Sequence, residues 1–239
     1  MILVAAGLFD MGDDASPDAS PRHPVELAAY RIDRVEVSID RFEAFVAAGG
    51  YAETRWWSEA GREWLAEHPD GVGAAARASK RAGTHPVVAV SFWEAEAYCR
   101  AQGGDLPTEA QWERGACGPG RFPWGEGENV DAAWFTQGKG QHLVGVNTRA
   151  VDDAAPRLLS PLGLAHMAGN VLEWTRDTYH VGYDGGTAKD PIATTPSPWR
   201  VARGGSFLDL PAYATCTHRE PVEPGEPRLT LGFRCAYPP

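Results

Sequence analysis

Apolar and polar residues alternate over short stretches near the N-terminus, and farther along apolar residues recur at helical spacing. Between Val25 and Val37 the apolar period is about two residues, which predicts a pair of short strands with a bend. Ser38 follows as a candidate helix N-cap. The next apolar residues share one face of a predicted helix that ends at the Gly49-Gly50 pair. Those residues are Ile39, Phe42, Phe45 and Val46.

Two capping boxes mark further helices. In each, a hydroxyl residue is followed three positions later by Glu or Gln, so that side chains satisfy free backbone N–H groups reciprocally. Ser91 with Glu94 predicts a helix that runs through Arg100. Thr108 with Gln111 predicts a second, shorter helix.

The composition of three other segments predicts their structure or role. The apolar, valine-rich run 86–90 predicts a strand that leads into the first capping box. The stretch 51–64 carries three tryptophans, a pattern more typical of a core cluster than of a ligand platform. The segment 130–161 has almost no periodicity, and so long an irregular stretch indicates a functional loop or one held by metal or cross-links.

The C-terminal part predicts two short strands joined by a long polar loop. Val201 lies in the first strand, and Gly204-Gly205 lets the backbone bend or approach a neighbour closely. Leu231 lies in the second strand. A loop carried by such a scaffold is a common place for a binding or catalytic site. No repeat or linker divides the chain, so we predict one domain over residues 1–239.

Composition and net charge limit the classes of partner that the protein is expected to bind. The chain has 27 Gly and 19 Pro, which predicts many turns, and nine Trp, which supply much burial per residue. The formal net charge of −10 argues against nucleic acid and anionic membranes as partners. No apolar run approaches the ~20 residues that span a bilayer. Residues 1–7 lack the basic start of a signal peptide and predict a first strand, so the location of the protein is left open.

The chain has four cysteines, and none of them forms a CxxC motif. A zinc knuckle or a thioredoxin-type site is therefore not expected. Composition alone is compatible with two long-range disulfides or with four buried thiols, depending on the redox compartment.

Five ordered motifs carry a resemblance to a known family. In order and spacing they resemble the formylglycine-generating enzyme (sulfatase-modifying factor) family over essentially the whole chain. The resemblance implies a single α+β domain of C-type-lectin-like topology, with little regular secondary structure and long calcium-stapled loops. The motifs are Leu106-Pro-Thr-Glu-Ala-Gln-Trp-Glu113, Phe122-Pro-Trp-Gly125, Gly163-Leu-Ala-His-Met-Ala-Gly-Asn-Val-Leu-Glu-Trp174, Arg203-Gly-Gly-Ser-Phe207 and Gly232-Phe-Arg234.

The same resemblance implies an activity and its loss. Active members oxidise a sulfatase cysteine to formylglycine with copper, held by two cysteines in the loop after the Gly-Gly-Ser strand. Two soft thiolates suit Cu(I) and leave it reactive. The matching positions here are Asp209 and Ala214. We therefore predict no catalytic residues for that oxidation and no copper, as in the non-catalytic paralogue of the family.

The alignment with the family also implies how the cysteines pair. Cys99 and Cys235 match one structural disulfide of the family. Cys117 and Cys216 match the other, with Cys117 displaced by about one position. On this prediction no thiol is left for copper.

Two calcium sites are implied by the resemblance. At one, the carbonyls of Gly169 and Val171 and the carboxylate of Glu173 match the family's ligands. An Asn or Asp position of that site is His166, so the site is weakened, because Ca²⁺ prefers oxygen ligands. The other site would begin at Asn129 and Val130.

The expected role is binding, at a cleft retained from the family. Trp174 and Ser206 match residues that line the family's substrate cleft, and Asp209 and Arg219 would adjoin them. Arg203, Arg219 and Arg234 would either bind a ligand carboxylate or pair with Asp177 and Asp209 within the fold. The ligand would be a peptide, a protein partner or a small molecule.

Two alternatives stay open. One is an O2-dependent oxidoreductase of a biosynthetic pathway, with an altered metal site built from histidine and aspartate. The other is a variable, ligand-displaying relative, which is disfavoured because the C-terminal loop lacks an Asn-rich pattern. The residues of the altered metal site would be His166, His180, His218 and Asp209.

Overall fold

Short strands and short helices are joined by long loops. The structure, a computed structural model, describes residues 1–73, 82–118, 120–126, 148–154, 159–210 and 213–239. Its strands are β1 (Ile2–Val4), β2 (Gly7–Met11), β3 (His23–Leu27), β4 (Tyr30–Ile32), β5 (Leu172–Thr178), β6 (Ala188–Lys189), β7 (Arg200–Arg203), β8 (Arg219–Val222), β9 (Leu231–Gly232) and β10 (Ala236–Tyr237). Its helices are α1 (Ile39–Ala47), α2 (Glu59–Glu67), α3 (Phe92–Ala101) and α4 (Glu109–Ala116), with a 3₁₀ turn at Thr54–Trp56.

The predicted helices are confirmed, and their caps are the predicted ones. The Ser38 hydroxyl accepts from the Arg41 amide at the start of α1. Both capping boxes are formed, at Ser91 before α3 and at Thr108 before α4. These side chains satisfy backbone N–H groups that a helix cannot pair internally.

The sequence patterns did not predict α2, which lies inside the tryptophan-rich stretch. Ser58 caps it by accepting from the Gly61 amide at 3.2 Å. Trp64 and Leu65 lie on its buried side. Trp64 stacks on Trp93 of α3 with ring centroids 5.5 Å apart, so the tryptophans belong to the core, as predicted.

Three small sheets hold the domain together, in the orders β1-β4-β10, β2-β3-β6 and β8-β7-β5-β9. In the four-stranded sheet β5 pairs antiparallel with β7, so that Trp174 lies opposite Ala202. β5 also pairs parallel with β9, with Glu173 opposite Gly232. The two strands predicted near the C-terminus therefore flank β5, and their Gly-Gly-Ser bend follows β7 directly.

The run 86–90 is not a strand, contrary to the prediction. Its amides are bonded one at a time to different segments, from Val87 to the Val37 carbonyl and from Ala89 to the Arg228 carbonyl, both at 2.9 Å. Ala89 has φ 55°, a left-handed conformation that interrupts an extended chain. The apolar pattern reflected full burial rather than a ladder.

Cys99 of α3 and Cys235 near the C-terminus form a disulfide, with 5.5 Å between their Cα atoms. Both residues are fully buried in the larger core cluster, beside Tyr98 and Phe233. The C-terminal end of the chain is thereby tied to the aromatic core. No helix in the parts of the chain that the structure describes is long and apolar enough to cross a membrane.

A conservative change at Gly12 tests the close approach of β2 to the next loop. Gly12 has φ +93°, and a Cβ there would meet the Ala19 carbonyl oxygen far inside contact distance. We expect Gly12→Ala to lower the free energy of unfolding by about 1–3 kcal/mol in a urea titration. Gly49→Ala is the matched control, since Gly49 has φ +86° and open space around its Cβ. Equal losses in both variants would contradict the steric explanation.

Candidate functional site

The loop after β7 is closed by its own aspartate. Gly204 and Gly205 turn the chain at φ +96° and +66°. One carboxylate oxygen of Asp209 then accepts from the Ser206 amide at 2.6 Å and from the Ser206 hydroxyl at 2.8 Å. Such a side-chain turn satisfies two donors locally. The Asp209 side chain therefore serves the loop in which it lies.

Ala214 is fully buried and contacts Ala168. Ala214 and the hydrogen-bonded Asp209 are the two residues that the resemblance matches to the family's copper-binding cysteines. Cu(I) is selected by soft sulfur ligands, so this donor set does not fit copper.

Two buried ion pairs lie beneath this loop. Arg203 of β7 is fully buried and pairs with Glu113, whose other carboxylate oxygen accepts from the Gly12 amide at 2.8 Å. Arg219 binds Glu109 with two hydrogen bonds, of 2.6 and 3.0 Å. Such bidentate geometry is the strong form of this contact.

The partners of the arginines differ from those expected. Arg203, Arg219 and Arg234 pair with glutamates inside the fold, and neither Asp177 nor Asp209 receives a hydrogen bond from any of them. Sequence reasoning missed two of those glutamates, Glu109 and Glu113. Glu109 and Glu113 lie four residues apart on α4 and therefore on one face of the helix. That acidic pair, within a motif of buried residues, was the sequence signal that could have predicted the two ion pairs.

A cavity of about 710 Å³ opens beside the loop. It lies between β2, the C-terminal end of α4 and the segment 213–218, and we call it the thiol cavity. Its wall combines carboxylates, cations, hydroxyls and two cysteines, so it suits a polar ligand better than an apolar one. The residues that line the thiol cavity include Ala15, Cys117, Arg121, Tyr213, Cys216 and His218.

Cys117 and Cys216 are free thiols in the structure, where the alignment implied a second disulfide. Cys117 follows the last residue of α4 and is half-buried, whereas Cys216 is only 1% exposed. Both residues line the thiol cavity. Burial, contact with Cys216 and the charge of Glu113 raise the pKa of Cys117, and Arg203 opposes them. The Cys117 side chain is therefore a protonated thiol at neutral pH.

A second cavity, of about 520 Å³, lies on the other side of α4. Glu109, Arg219 and Asp177 form its polar floor, and the exposed side chain of Val181 lies at its rim. The two oxygens of Asp177 accept from the amides of Glu109 and Ala193 at 2.7 and 2.8 Å. Burial, and secondarily the charge of Glu109, raise the pKa of Asp177 to about 7.

The raised pKa of Asp177 predicts a pH-dependent stability. Because the folded pKa of about 7 lies above the unfolded value of ~3.9, the contribution is full below ~4 and is lost as pH rises through 7. We expect Asp177→Asn to gain about 3 kcal/mol relative to the wild type between pH 4 and pH 8. Urea titrations at several pH values measure this. An unchanged difference across that range would contradict it, and the exposed Asp184→Asn is the control.

Of the four residues predicted to line a common cleft, Ser206 and Asp209 contact each other, whereas Trp174 and Arg219 have other partners. Trp174 is fully buried, donates to the Val90 carbonyl at 3.1 Å and packs edge-on against Phe92. Ser206 is 1% exposed and bonded to Asp209. Arg219 lines the second cavity rather than the loop. Burial of Trp174 leaves no ring face open to a ligand, and this part of the prediction is corrected.

The residues of the calcium site predicted around Glu173 and His166 do not fit a calcium ion. Both oxygens of Glu173 accept from Arg234 at 2.6 Å, and one also accepts from the Trp112 indole at 2.8 Å. His166 is buried, and its Nε2 has no hydrogen-bond partner. Burial, and then Arg234, lower the pKa of His166 to about 4, so it is neutral. A carboxylate already neutralised by a guanidinium and an imidazole in an oxygen position make a poor calcium site.

The structure describes only part of the other predicted calcium ligands. Gly169 and Val171 lie on a buried turn in which the Gly169 amide donates to the Gly204 carbonyl at 2.9 Å. Asn129 and Val130 lie outside the described residues.

The altered metal site also lacks its geometry. His180 lies against the Thr195 carbonyl at 3.2 Å, and the His218 ring contacts Tyr213. His166 lies near enough to Arg234 and Glu173 for their charges to shift its pKa. Among the residues that the structure describes, no three His, Cys, Asp or Glu side chains are grouped so that they could hold a metal ion.

The similarity to known proteins extends over almost the whole chain, including the five motifs. Residues 1–238 match the family described as "Sulfatase-modifying factor enzyme 1-like domain". The chain belongs to this family. The family resemblance seen in the sequence, and the α+β fold that it implied, are thereby confirmed.

Curated relatives of this sulfatase-modifying-factor-like chain are about 30% identical. Formylglycine-generating enzyme of Thermomonospora curvata is 32% identical, over 100% of this chain and 93% of the relative. The mouse formylglycine-generating enzyme is 30% identical, over 99% of this chain and 74% of the relative. Hercynine oxygenase of Mycolicibacterium smegmatis is 30% identical, and this chain spans 60% of its length.

Solved structures show the same fold. Treponema denticola variable protein 1 superposes with a TM-score of 0.75 at 23% identity, covering 100% of this chain and 95% of that one. PvdO from Pseudomonas aeruginosa gives a TM-score of 0.73 at 21% identity, covering 99% and 93%. At these identities the likeness establishes the fold alone.

Proposed function

We propose that this protein is a family member that does not oxidise cysteine to formylglycine and that binds a peptide, a protein partner or a small polar ligand in the thiol cavity. The observation that carries the proposal is the pair of residues at the family's copper positions. Asp209 is bonded to Ser206, and Ala214 is buried against Ala168. Neither side chain can hold Cu(I).

The position and chemistry of the thiol cavity support a binding role. It borders the segment 213–218, on the same loop that carries Asp209. Arg121 and the half-exposed Tyr213 offer donors and a ring face at its wall, and carboxylates of β2 offer acceptors. A concave site with a few convergent polar groups is the usual form of a small-ligand or peptide-end site.

The absence of oxidation is tested with a Cys-containing sulfatase peptide, Cu(I) and oxygen. Mass spectrometry should find the peptide cysteine unchanged, while formylglycine-generating enzyme of Thermomonospora curvata converts it under the same conditions. Copper-dependent conversion by this protein would refute the proposal.

The binding role is tested with the same peptide and its Cys→Ser form by calorimetry, comparing two tryptophan variants. Ala15 is exposed and lines the thiol cavity, whereas Ala52 is exposed and lies by the 3₁₀ turn, outside both cavities. We expect Ala15→Trp to weaken binding at least tenfold and Ala52→Trp to leave it unchanged. Equal affinities in the two variants, or no binding to the wild type, would count against the cavity as the site.

A second candidate function is an oxidoreductase with altered chemistry. The relative named hercynine oxygenase favours it, at 30% identity over 99% of this chain. Elemental analysis of the purified protein separates the two candidates. Stoichiometric iron or copper, together with oxygen consumption, would favour the oxidoreductase, and their absence would favour the binding protein.

A further inference from the structure

We propose that the second cavity binds an organic ammonium group, whose charge lies against the carboxylate of Asp177. The cavity has a volume of about 520 Å³, which is room for a ligand of small-molecule size. The ammonium belongs either to a free amine or to a lysine side chain, and the two sources are separated by experiment. This site does not depend on the ligand that the thiol cavity binds.

The first support is a buried carboxylate without a cationic partner. Asp177 is only 5% exposed, and its two oxygens accept from the neutral amides of Glu109 and Ala193. No Lys, Arg or His side chain in the described part of the protein bonds to it. Each carboxylate oxygen keeps a further lone pair. Since buried charges in proteins are normally paired, a ligand ammonium would supply the cation that the fold does not.

The second support is that the arginine of the cavity is already engaged. Arg219 is the only lysine or arginine among the described residues that line the cavity. Its Nε and Nη2 donate to the two oxygens of Glu109, and its Nη1 donates to the carbonyls of Asp18 and His180. Four of its five N–H groups are therefore used within the fold. An anionic ligand would find little donor capacity here.

The third support is a buried histidine that adds an acceptor. His23 of β3 lines the cavity and is only 8% exposed. Its Nδ1 lies 2.9 Å from the Pro21 carbonyl, which can only accept, so Nδ1 carries a proton and Nε2 of the neutral ring is an acceptor. Nε2 has no hydrogen-bond partner among the residues that the structure describes. The ring packs on Tyr183, whose hydroxyl donates to Glu109 at 3.1 Å, so His23 adjoins the acidic floor.

The charges of the cavity also favour a cation. Glu109 and Arg219 neutralise each other, which leaves Asp177 at the floor and the exposed Asp184 at the wall. The titratable and charged groups that surround the ligand are Glu109 of α4, Arg219 of β8, His23 of β3, Asp177 of β5, and His180, Tyr183 and Asp184 of the segment after β5. A net negative, acceptor-rich wall attracts an ammonium group with three N–H donors.

Titration of Asp177 gives this binding a characteristic pH dependence. Burial, and then the charge of Glu109, raise the pKa of Asp177 to about 7, so the carboxylate gains its charge between pH 6 and pH 8. An aliphatic ammonium group stays protonated up to about pH 10. Because the ionised carboxylate attracts the ligand and the neutral acid does not, the affinity should rise roughly tenfold from pH 6 to pH 8.

The test uses the full chain, with pentylamine and its neutral analogue 1-pentanol as probes, titrated at pH 8 and followed by the amide chemical shifts of the labelled protein. We expect pentylamine to bind about tenfold or more tightly than 1-pentanol, because a charged hydrogen bond is lost with the alcohol. Asp177→Asn should weaken pentylamine by a similar factor and remove most of the pH dependence. Asp70→Asn changes an exposed aspartate outside both cavities and should bind as the wild type does.

A blocked tripeptide with a central lysine separates the two sources of the ammonium group. Binding of the tripeptide at least as tight as that of pentylamine would identify a lysine side chain as the ligand. Binding of pentylamine alone would identify a free amine. Either result supports the proposal, provided that Asp177→Asn weakens the binding.

Three results would overturn the proposal: no binding of either amine probe, equal binding of pentylamine and 1-pentanol, or an unchanged affinity in Asp177→Asn. A second pair of variants covers the case in which Asp177→Asn fails to fold. Ile192 lines the second cavity and is 36% exposed, so Ile192→Trp should fill the cavity and weaken pentylamine about tenfold or more. Leu229→Trp changes an exposed residue outside both cavities and should leave the affinity unchanged. Equal affinities in these two variants would also overturn the proposal.

Discussion

We expect Arg234→Met to lower the free energy of unfolding by about 3–5 kcal/mol, because it leaves a buried carboxylate without its cation. Arg234 and Glu173 are both fully buried and joined by two hydrogen bonds of 2.6 Å. The guanidinium also donates to the carbonyls of Asp33, Arg34 and Ala165. Urea titration at pH 7 measures the loss.

Two further variants separate the charge effect from general disruption. Adding Glu173→Gln to Arg234→Met removes the orphaned charge, so the double variant should be more stable than the single one. Arg41→Met removes an ion pair with Asp33 in which the arginine side chain is 41% exposed, and should cost less than about 1 kcal/mol. A double variant less stable than Arg234→Met would show that the carbonyl contacts, not the charge, dominate.

We expect the double replacement Cys99→Ala and Cys235→Ala to lower the free energy of unfolding by about 2–5 kcal/mol. The disulfide closes a loop with a sequence separation of 136, so its loss returns much chain entropy to the unfolded state. Both positions are buried in the aromatic core, which adds the loss of packed sulfur atoms. Thermal and urea unfolding of the purified variants measure the effect.

The other two cysteines provide the comparison. Cys117→Ser in the reduced protein breaks no covalent link and changes a half-buried side chain, so its cost should stay below about 1.5 kcal/mol. If Cys117→Ser cost as much as the loss of the Cys99–Cys235 disulfide under the same non-reducing conditions, the assignment of one disulfide and two free thiols would be wrong.

Local signals predicted the helices well, because the caps that start them are written in adjacent residues. Ser38, Ser91 and Thr108 all act as predicted. The run 86–90 misled because an apolar, valine-rich segment indicates burial, and burial alone does not say which partner accepts each amide hydrogen. The helix α2 was not predicted, because tryptophans indicate a packed cluster whatever the backbone conformation of the segment that carries them.

The sequence located candidate site residues along the chain but did not predict which side chains they contact. The resemblance matched Asp209 and Ala214 to the family's copper ligands, and that match stays a prediction. It could not show that Trp174 turns into the core or that Arg219 binds Glu109, because those choices depend on which buried groups of opposite charge meet in three dimensions. A motif fixes the order of residues along the chain, whereas pairing is decided by the whole fold.

The closure of the loop by Asp209 bears on how readily the oxidation that we propose is absent could be introduced. Cysteine introduced at position 209 would remove the acceptor that holds the Ser206 amide and hydroxyl, so the turn itself would loosen. Cysteine introduced at position 214 would lie buried against Ala168, out of reach of any substrate. Each back-substitution is therefore unfavourable on its own and useless without the other. A redesign would have to rebuild the loop after β7 before two cysteines there could support the oxidation of cysteine to formylglycine.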